Sequence, residues 1–470
     1  MQDMEQYKKK IKHNIEELIN RGALEEAKKI IKEYEELVTN DMDVYSFKGV
    51  ISMMECDMEL SLMYLKEGIE VSGGNFDLYY NLAYLYESEN KFRKACYYYK
   101  KASEFCSIEF NDKINEKIEE LKTYYDYQEE ELDSPKITIV TMVYNSKPYI
   151  DECIKSVLNQ SFKDFEWVLL DNGCTDGTSE ILKEYAKVDT RIKLYINEKN
   201  SFIYKSPHNF DYVDHINNFK SEYVCFLDSD DYLHIDFLKE LYEIAKLNDV
   251  DISAAGVEMF NDENPQIRGD RCPPEFYTND IKSLGEKDVF PNIYGCFRAM
   301  WGKLIKSSIA IKARKYIRFN NIQVSNGGDT IFSLTYLEFS NSVCFKNKAL
   351  YYYRIRKTSI YNRDVGKKRY LDYIKIYFKS KKILEVWNKI NADNLFFIAS
   401  VLYSSMKDCI DVAASAINAP IEDRIELITA IVSDKEVRKI LNDSCILMNL
   451  IDEGINGLNT IAKLNRKANN

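Results

Sequence analysis

The sequence predicts an α/β domain with a mostly parallel sheet, set between an α-helical repeat region and a C-terminal helical region. Three observations predict it: a 34-residue period near the start, alternating strand and helix patterns from Lys136, and helical patterns after residue 366. A chain of 470 residues is long enough for several domains. We expect four segments: 1–125 as helical repeats, 126–135 as a linker, 136–365 as the α/β domain and 366–470 as a helical domain.

The repeat region is predicted from positions that fall in register when the first 110 or so residues are shifted by 34. These positions include Ala27, Ser61 and Ala95; Leu24, Met58 and Phe92; and Ile30, Tyr64 and Tyr98. The small residues allow two helices of a hairpin to approach closely, and a 34-residue helical unit resembles the tetratricopeptide repeat. Three unrelated helical hairpins of equal length are the alternative.

The α/β domain is predicted from apolar runs that alternate with amphipathic ones. "KITIVTMVY" (136–144) and "FEWVLLD" (165–171) are continuously apolar, as strands buried on both faces should be. "KPYIDECIKSVLNQ" lies between them and has a helical pattern. The polar, acidic stretch that ends in Pro135 predicts the linker before the first strand.

Composition excludes several classes of protein. The net charge of −11 argues against nucleic acid as the main partner, because phosphate backbones attract basic surfaces. The longest apolar stretch, near "LFFIASVLYSSM", is too short for a transmembrane segment, and the first residues do not resemble a signal peptide. The 11 cysteines are scattered, which is typical of reduced thiols, so we expect a cytoplasmic protein.

Acidic residues follow two of the predicted strands. Asp171 closes "FEWVLLD", while Asp228, Asp230 and Asp231 come directly after the apolar run 223–227. Ligands of open parallel sheets collect beyond the carboxyl ends of the strands. Three neighbouring like charges need an opposite charge, for which a divalent cation is the leading candidate and a solvated acidic turn the alternative.

Six motifs in this order resemble the catalytic domain of family 2 nucleotide-sugar glycosyltransferases, which has the GT-A fold. They are "TIVTMVYN" (138–145), "LLDNGCTDGT" (169–178), "YVCFLDSDDYL" (223–233), "MWGKLIKSSI" (300–309), "GGDTIFSL" (327–334) and "LYYYRIRKTSI" (350–360). The resemblance implies an inverting enzyme that uses Mn²⁺ or Mg²⁺ and moves a hexosyl or N-acetylhexosaminyl group from a UDP-sugar. The sequence contains no Gln-x-x-Arg-Trp motif, which argues against a processive membrane synthase.

The resemblance also implies roles on the donor side. Asp230 would bind the metal, Asp228 the ribose or the metal through water, and Asp171 the base; an ordinary strand-to-helix cap is the alternative for Asp171. Asp231 would help with the metal or begin a helix as its N-cap. Arg356 would clamp the diphosphate, unless it is a surface arginine. Main-chain groups of Thr141, Val143 and Tyr144 would line the base and ribose pocket.

On the acceptor side, the resemblance implies that Asp329 is the base that removes the acceptor's proton. A plain helix N-cap is the alternative. Trp301 and Lys303 would form a wall beside the acceptor, with core packing as the alternative for Trp301.

The chain departs from the family pattern at a few positions. Gly328 stands where relatives have Glu, which leaves acceptor orientation open. Asn172 replaces the second Asp of another motif, and Tyr212, Val213 and Ser221 replace residues that help to grip the donor. His208 and His215 lie in the same segment and are expected to be loop histidines.

The acceptor is not specified by these motifs. Helical repeats commonly present a concave surface to peptides, which favours a protein or peptide acceptor. A surface polysaccharide, teichoic acid or lipid-linked glycan is the alternative. A third possibility is a non-catalytic repeat scaffold, which the replacement by Gly328 would favour.

Overall fold

The computed structural model describes the chain except for residues 1, 39–40, 107, 127–133, 201–214, 217, 265, 321, 323, 325, 357–365, 417–418 and 469–470. Contacts divide the chain into two units, residues 1–132 and 133–470. Most of the predicted linker, and His208, Tyr212 and Val213, lie outside the described residues.

The first unit is helical, as predicted. Its helices are α1 (Gln2–Asn20), α2 (Leu24–Leu37), α3 (Met42–Met54), α4 (Met58–Ser72), α5 (Phe76–Ser88), α6 (Phe92–Ser103) and α7 (Ile108–Asp126). Helices α2, α4 and α6 begin 34 residues apart, and so do α3 and α5. Ala27, Ser61 and Ala95 are all buried, which agrees with their expected place between closely packed helices. The tetratricopeptide assignment itself stays a prediction.

Helix caps follow the same period. The side chain of Asp41 accepts a hydrogen bond from Asp43 N at the start of α3, and Asn75, 34 residues later, accepts one from Leu78 N at the start of α5. Short polar side chains at this position satisfy backbone N–H groups that a helix leaves unpaired in its first turn.

The second unit contains a mixed sheet. Its strands are β1 (Ile137–Val143), β2 (Phe165–Asp171), β3 (Ile192–Ile196), β4 (Tyr223–Phe226), β5 (Tyr232–Leu233), β6 (Ile252–Asn261), β7 (Arg268–Arg271), β8 (Phe276–Thr278), β9 (Lys303–Lys306) and β10 (Val343–Ile355). The order is β3-β2-β1-β4-β9-β6-β10-β5, with β7 beside β6 and β8 beside β10. Strands β1 to β4 form a parallel half, in which β1 pairs with both β2 and β4. The predicted α/β class is therefore confirmed.

Helices cover both faces of this sheet. They are α8 (Ile150–Leu158), α9 (Thr178–Val188), α10 (Phe237–Asn248), α11 (Phe290–Arg298), α12 (Ser307–Phe319) and α13 (Gly328–Glu338), followed by α14 (Lys367–Val386), α15 (Ala392–Ser415), α16 (Ile421–Ser433), α17 (Lys435–Asp443) and α18 (Leu447–Ala468). Alternate residues of β1 face opposite sides: Ile139 joins a hydrophobic cluster with Ile154 of α8, and Val140 joins one that continues to Leu402 of α15. The C-terminal helices thus complete the cover of one face.

Within the described parts of the chain, every helix is too short or too polar to cross a lipid bilayer.

Candidate active site

The carboxyl ends of β1, β2 and β4 meet at one edge of the sheet. Val143 lies opposite Asp171 in the β1–β2 pair, and Val140 lies opposite Phe226 in the β1–β4 pair. Because the three strands are parallel neighbours, the residues that follow them reach the same rim. The structure therefore brings Asp171 and Asp228 to one edge, as the sequence predicts.

The turn 228–231 is tied to both neighbouring strands. Ser229 Oγ lies 2.6 Å from Ser146 Oγ, which follows β1. The hydroxyl of Tyr351 in β10 accepts a hydrogen bond from Asp228 N at 3.3 Å and donates one to Asp231 Oδ2 at 2.8 Å. Tyr351 is buried, so this hydroxyl holds the acidic turn from below.

The side chain of Asp228 is exposed to solvent at the rim of the sheet. Loss of hydration raises the pKa of the Asp228 carboxyl well above its usual value, and repulsion from Asp231, Asp329 and Asp230 raises it further. Arg356 opposes this shift. The carboxylates are thus close enough to destabilise one another, and an added cation would relieve that repulsion.

Asp231 does not cap a helix, contrary to one of the two roles expected for it. Strand β5 begins at the next residue, and the Asp231 carboxylate accepts hydrogen bonds from Tyr351 and from Arg354 N, the latter at 2.8 Å. It is 2% exposed. Burial, with repulsion from Asp230, raises the pKa of Asp231 to about 8. Its visible role is to join the acidic turn to β10.

Arg356 forms an ion pair with Asp230, so the expected clamp lies beside the acidic turn. Its guanidinium also lies 5.0 Å from the centre of the Tyr149 ring. Both members of the ion pair are partly buried, which strengthens their attraction relative to an exposed pair. In this structure, Asp230 is therefore neutralised by its ion pair with Arg356.

Arg354 was not expected at the site from the sequence. Its Nε donates to the carbonyl of Asp230 at 2.8 Å, and its Nη1 donates to Asp262 Oδ1 at 2.8 Å. Tyr149 OH donates to the other oxygen of Asp262 at 2.9 Å. Residues two apart on a strand share a face, so "RIR" at 354–356 carries a signal that could have placed Arg354 beside Arg356.

Asp171 is buried and its carboxylate closes the turn after β2. Oδ1 accepts hydrogen bonds from Gly173 N at 3.1 Å and Cys174 N at 2.9 Å. Gly173 has a φ of +80°, and a Cβ there would lie 2.7 Å from Asn200 N, so a side chain would be strained and would clash. Asp171 thus closes this turn and does not cap α9, whose N-cap is Gly177; contact with a base stays a prediction.

The three residues expected to line the base pocket differ in their surroundings. Thr141 is buried and its hydroxyl accepts a hydrogen bond from Trp167 Nε1 at 3.0 Å. The carbonyl of Val143 accepts one from Asn172 N at 2.8 Å. Tyr144 is exposed just beyond the strand end. Of these three, Tyr144 is the residue that presents its side chain to solvent.

The side-chain amide of Asn172 is fixed on two sides. Asn197 Nδ2 donates to its oxygen at 3.0 Å, and its nitrogen donates to Asn200 Oδ1 at 3.0 Å. Replacement of the family's Asp by Asn172 is therefore compatible with a well-held side chain at this rim.

Asp329 lies in the first turn of α13, and the structure argues against the N-cap alternative. The N-cap position is Gly327, which has no side chain and a φ of +75°. The Asp329 carboxyl is accessible to solvent, yet it is close enough to Asp228 to raise that residue's pKa. Partial burial raises the pKa of Asp329 itself, and the charge of Lys303 opposes that shift. Asp329 and Asp228 therefore lie near enough for their charges to interact.

Lys303 is buried and does not form part of a wall beside the acceptor, the role that the resemblance implies for it. It is 1% exposed, and its ammonium donates to the carbonyls of Cys296 at 2.8 Å, Ala299 at 2.5 Å and Trp301 at 3.1 Å. Burial lowers the pKa of Lys303 to about 7, although Asp329 opposes that shift. Ser333 of α13 donates to the same Ala299 carbonyl at 3.0 Å. Lys303 thus ties the 296–301 segment to the helix of Asp329.

Trp301 stacks on two tyrosines of β10. Ring centroids lie 4.7 Å from Tyr351 and 5.3 Å from Tyr353. The tryptophan is half-buried, so it combines packing with a surface close to the acidic turn that Tyr351 holds. Contact with an acceptor stays a prediction.

Lys303→Met should lower the free energy of unfolding by about 3 kcal/mol, because three buried carbonyls lose their donor. Chemical denaturation measures this change. Lys306→Met on the same strand is the matched control: Lys306 pairs with Asp251 at 3.2 Å while partly exposed, so we expect a loss below about 1 kcal/mol. Equal losses in both variants would contradict the structural role given to Lys303.

His215 belongs to a different polar group. Its Nδ1 lies 2.9 Å from Tyr195 OH and its Nε2 lies 3.0 Å from Glu166 Oε1. Residues 215 and 216 are helical, so His215 does not lie in a loop as expected; that it is not a metal ligand stays a prediction. Ser221, at the position where relatives have Gly, is buried and hydrogen-bonded to Thr138 at 2.7 Å.

The acidic turn fits a metal site that a substrate would complete. Among the described residues, no three or more His, Cys, Asp or Glu side chains are grouped so as to bind a metal. Mg²⁺, however, is often held by one or two carboxylates together with substrate phosphates and water. Asp228 and Asp230 can supply two such carboxylates, and a dication would relieve the repulsion that Asp231, Asp329 and Asp230 exert on the Asp228 carboxylate.

Comparison with known proteins shows that part of the second unit is similar in sequence to glycosyltransferases. Residues 138–308 match the sequence model of glycosyl transferase family 2. Glycosyltransferase GlyA of Streptococcus pneumoniae is 31% identical over 236 residues, which are 48% of this chain and 31% of that protein. Glycosyltransferase GlyG of the same species is 25% identical over 256 residues, 53% of this chain and 80% of that protein.

A third relative is the poly(ribitol-phosphate) beta-glucosyltransferase of Bacillus spizizenii. It is 33% identical over 144 residues, which are 28% of this chain and 22% of that protein. The chain therefore spans less than a third of the length of GlyA and of this glucosyltransferase.

Proposed function

Because residues 138–308 match the sequence model of glycosyl transferase family 2, we propose that this protein transfers a hexosyl or N-acetylhexosaminyl group from a UDP-sugar, with inversion, to a glycan or polyol-phosphate acceptor. The observation that carries the proposal is that Asp228, which follows β4, and Asp329, in the first turn of α13, lie near enough for their charges to interact. Asp228 would help to bind the cation of the leaving diphosphate, and Asp329 would accept the proton of the acceptor hydroxyl.

The donor side would be held by the acidic turn and β10. A bound Mg²⁺ or Mn²⁺, held by Asp228 and Asp230, would neutralise the charge that develops on the diphosphate. Tyr351 keeps the turn in place through Asp228 N and Asp231. UDP is the proposed nucleotide, with Asp171 and Tyr144 at the rim where its base would lie.

The ion pair between Arg356 and Asp230 supports the proposal that both residues bind the donor. In this structure it neutralises Asp230. When a diphosphate and its cation arrive, Asp230 can turn to the cation and Arg356 to a phosphate oxygen, since guanidinium binds both carboxylate and phosphate by paired hydrogen bonds. Arg354 keeps its own contacts with Asp262 and the Asp230 carbonyl.

Asp329 is proposed as the base. An acceptor oxygen attacks the anomeric carbon on the face opposite the diphosphate; the new carbon–oxygen bond forms as the bond to the diphosphate oxygen breaks. The proton of the acceptor hydroxyl passes to the Asp329 carboxylate, and the electron pair of the broken bond leaves with UDP. A single displacement of this kind inverts the anomeric carbon.

The acceptor class is proposed from the relatives and from the first unit. The name poly(ribitol-phosphate) beta-glucosyltransferase supports a surface glycopolymer of the teichoic acid type, and it favours that class over the protein or peptide acceptor expected from the repeats. A protein acceptor is the second candidate, because helix starts and buried positions repeat every 34 residues in the first unit.

Release of UDP from a panel of UDP-sugars tests the proposal. With Mn²⁺ present, we expect one donor to be hydrolysed slowly by the full chain, and poly(ribitol phosphate) to accelerate UDP release at least about tenfold, because bound acceptor hydroxyls are better oriented than water. Excess EDTA should abolish release. Acceleration by peptides but not by polyol phosphates would favour the second acceptor class, and release unchanged by EDTA would contradict the metal assignment.

A further inference from the structure

Helices α12 and α14 carry strong positive charge on an acidic protein. Helix α12 contains four Lys or Arg residues and no Asp or Glu, and α14 contains seven Lys or Arg residues and two Asp or Glu. The two helices together hold a net charge of about +9, although the whole chain has −11. The rest of the chain is therefore strongly acidic. Within α14, Arg369 is buried and pairs with Asp408, and Lys367 pairs with Glu426, so the positive charge that faces solvent is smaller than the net charge of the two helices.

One exposed face of α14 alternates basic and large apolar side chains. This face, the α14 stripe, consists of Lys368, Leu371, Lys375, Phe378, Lys382 and Val386. Spacings of three and four residues place these side chains along one side of a helix. Leu371 is 41% exposed, Phe378 43% and Val386 50%. A helix face that is only solvated would carry polar residues at these three positions.

The end of α12 adjoins the stripe. Lys379, at the border of the α14 stripe, lies 5.5 Å from the ring centre of Tyr316 in α12, and it also pairs with Glu338 of α13 at 2.9 Å. Close to Tyr316, Phe319 is 90% exposed and Arg318 is exposed. The C-terminal end of α12 therefore lies beside α14 at Lys379, and it carries exposed basic and apolar side chains of its own.

Intramolecular ion pairs do not account for this surface. Lys375 contacts Asp372 at 2.8 Å, and Lys382 lies 3.8 Å from Glu385, both within one turn of α14. Pairs of this type at a solvated surface contribute less than about 1 kcal/mol, so they compete weakly with a dense anionic surface. They also leave unexplained the exposure of Phe319 and Phe378.

We propose that the α14 stripe and the end of α12 bind an anionic phospholipid bilayer. Lysine and arginine would approach the lipid phosphates, while Phe319, Phe378 and the aliphatic side chains would enter the boundary between headgroups and acyl chains. Both kinds of side chain are needed for such a surface, and both occur here in alternation. The proposal concerns binding alone and does not depend on the proposed transferase activity.

Co-sedimentation of the full chain with vesicles tests this proposal. We expect binding to vesicles of phosphatidylglycerol and phosphatidylcholine, with little binding to phosphatidylcholine alone and weaker binding at high salt. The double variant Lys368→Glu/Lys382→Glu should bind about twenty-fivefold more weakly, at about fivefold for each lysine. Phe378→Ser should weaken binding about tenfold through lost apolar burial.

Matched controls lie on α9, which has exposed lysines and an exposed valine. Lys183→Glu/Lys187→Glu changes the charge equally, and Val188, 85% exposed, is replaced in Val188→Ser. These variants should bind as the unmodified chain does. Equal losses in both lysine pairs, or equal binding to neutral vesicles, would overturn the proposal.

A soluble polyanion separates the membrane from an anionic polymer as the partner. Inorganic polyphosphate is added at a concentration of binding sites equal to that of the vesicles. If it prevents vesicle binding, and if Phe319→Ser and Phe378→Ser have no effect on that binding, then the surface binds a polymer and the proposal is wrong. The expected result is the reverse: a strong effect of both phenylalanine variants.

Discussion

Asp329→Asn should lower the rate of sugar transfer by at least about a thousandfold and leave UDP affinity within about twofold. A positioned general base accelerates proton transfer by roughly a hundredfold to ten thousandfold, and the amide cannot accept the proton. The side chain keeps its size in this variant, and the helix is capped at Gly327 rather than by Asp329, so the fold should be retained. Calorimetric titration with UDP and single-turnover rates measure the two quantities.

The pH dependence of the unmodified protein gives a second readout of Asp329. Only the ionised carboxylate can act as the base, so kcat/KM should rise with pH through the pKa of Asp329, which burial raises above the usual value. This acidic limb should disappear in Asp329→Asn. Asp288→Asn, at an exposed aspartate, is the control. It should retain both the transfer rate and the rise of kcat/KM with pH. A full rate in Asp329→Asn would remove this residue as the base.

Asp228→Asn should make the free protein more stable while lowering transfer by at least about a hundredfold. The four carboxylates of the site repel one another, and neutralising one of them relieves that repulsion without a change in side-chain size. A gain of about 1 kcal/mol is typical where a functional residue is held at the expense of stability. The same variant loses a carboxylate that the donor's cation would need.

The stability gain should depend on pH in a defined direction. Because the pKa of Asp228 is raised in the folded protein, this carboxyl does not destabilise the fold below its pKa in the unfolded chain, about 4. Its destabilising effect grows as pH rises from that value toward the pKa in the folded protein. The advantage of Asp228→Asn should therefore be small at pH 5 and larger at pH 8. Urea unfolding at both values measures it, with Asp288→Asn expected to change stability by less than about 0.5 kcal/mol. Lower stability than the unmodified protein at pH 8 would contradict the repulsion described for the site.

The rim of the site could be predicted because its signal is local. Continuous apolar runs predict buried parallel strands, and acidic residues that directly follow such runs must lie at their carboxyl ends, as Asp171 and Asp228 do. The order β3-β2-β1-β4 then places those ends side by side. The helical region of the first unit could be predicted for the same reason, because a fixed sequence period can be recognised before any packing is known.

The remaining parts of the site depend on partners far away in the chain. Asp231 resembles a helix cap in sequence, but its carboxylate binds Tyr351 and Arg354, more than 100 residues later. The resemblance implies a place beside the acceptor for Lys303, but this residue is buried because carbonyls at 296–301 surround its ammonium. Contacts of this kind follow from how strands β5, β9 and β10 pack, which local sequence patterns do not specify.

The central claim is that Asp228 and Asp230 bind the donor's diphosphate through a divalent cation. Calorimetric titration of the full chain with UDP, once with saturating Mn²⁺ and once with EDTA, tests it most directly. We expect Mn²⁺ to strengthen UDP binding at least about tenfold, because the cation neutralises both the carboxylates and the diphosphate. Equal affinity for UDP under the two conditions would contradict it.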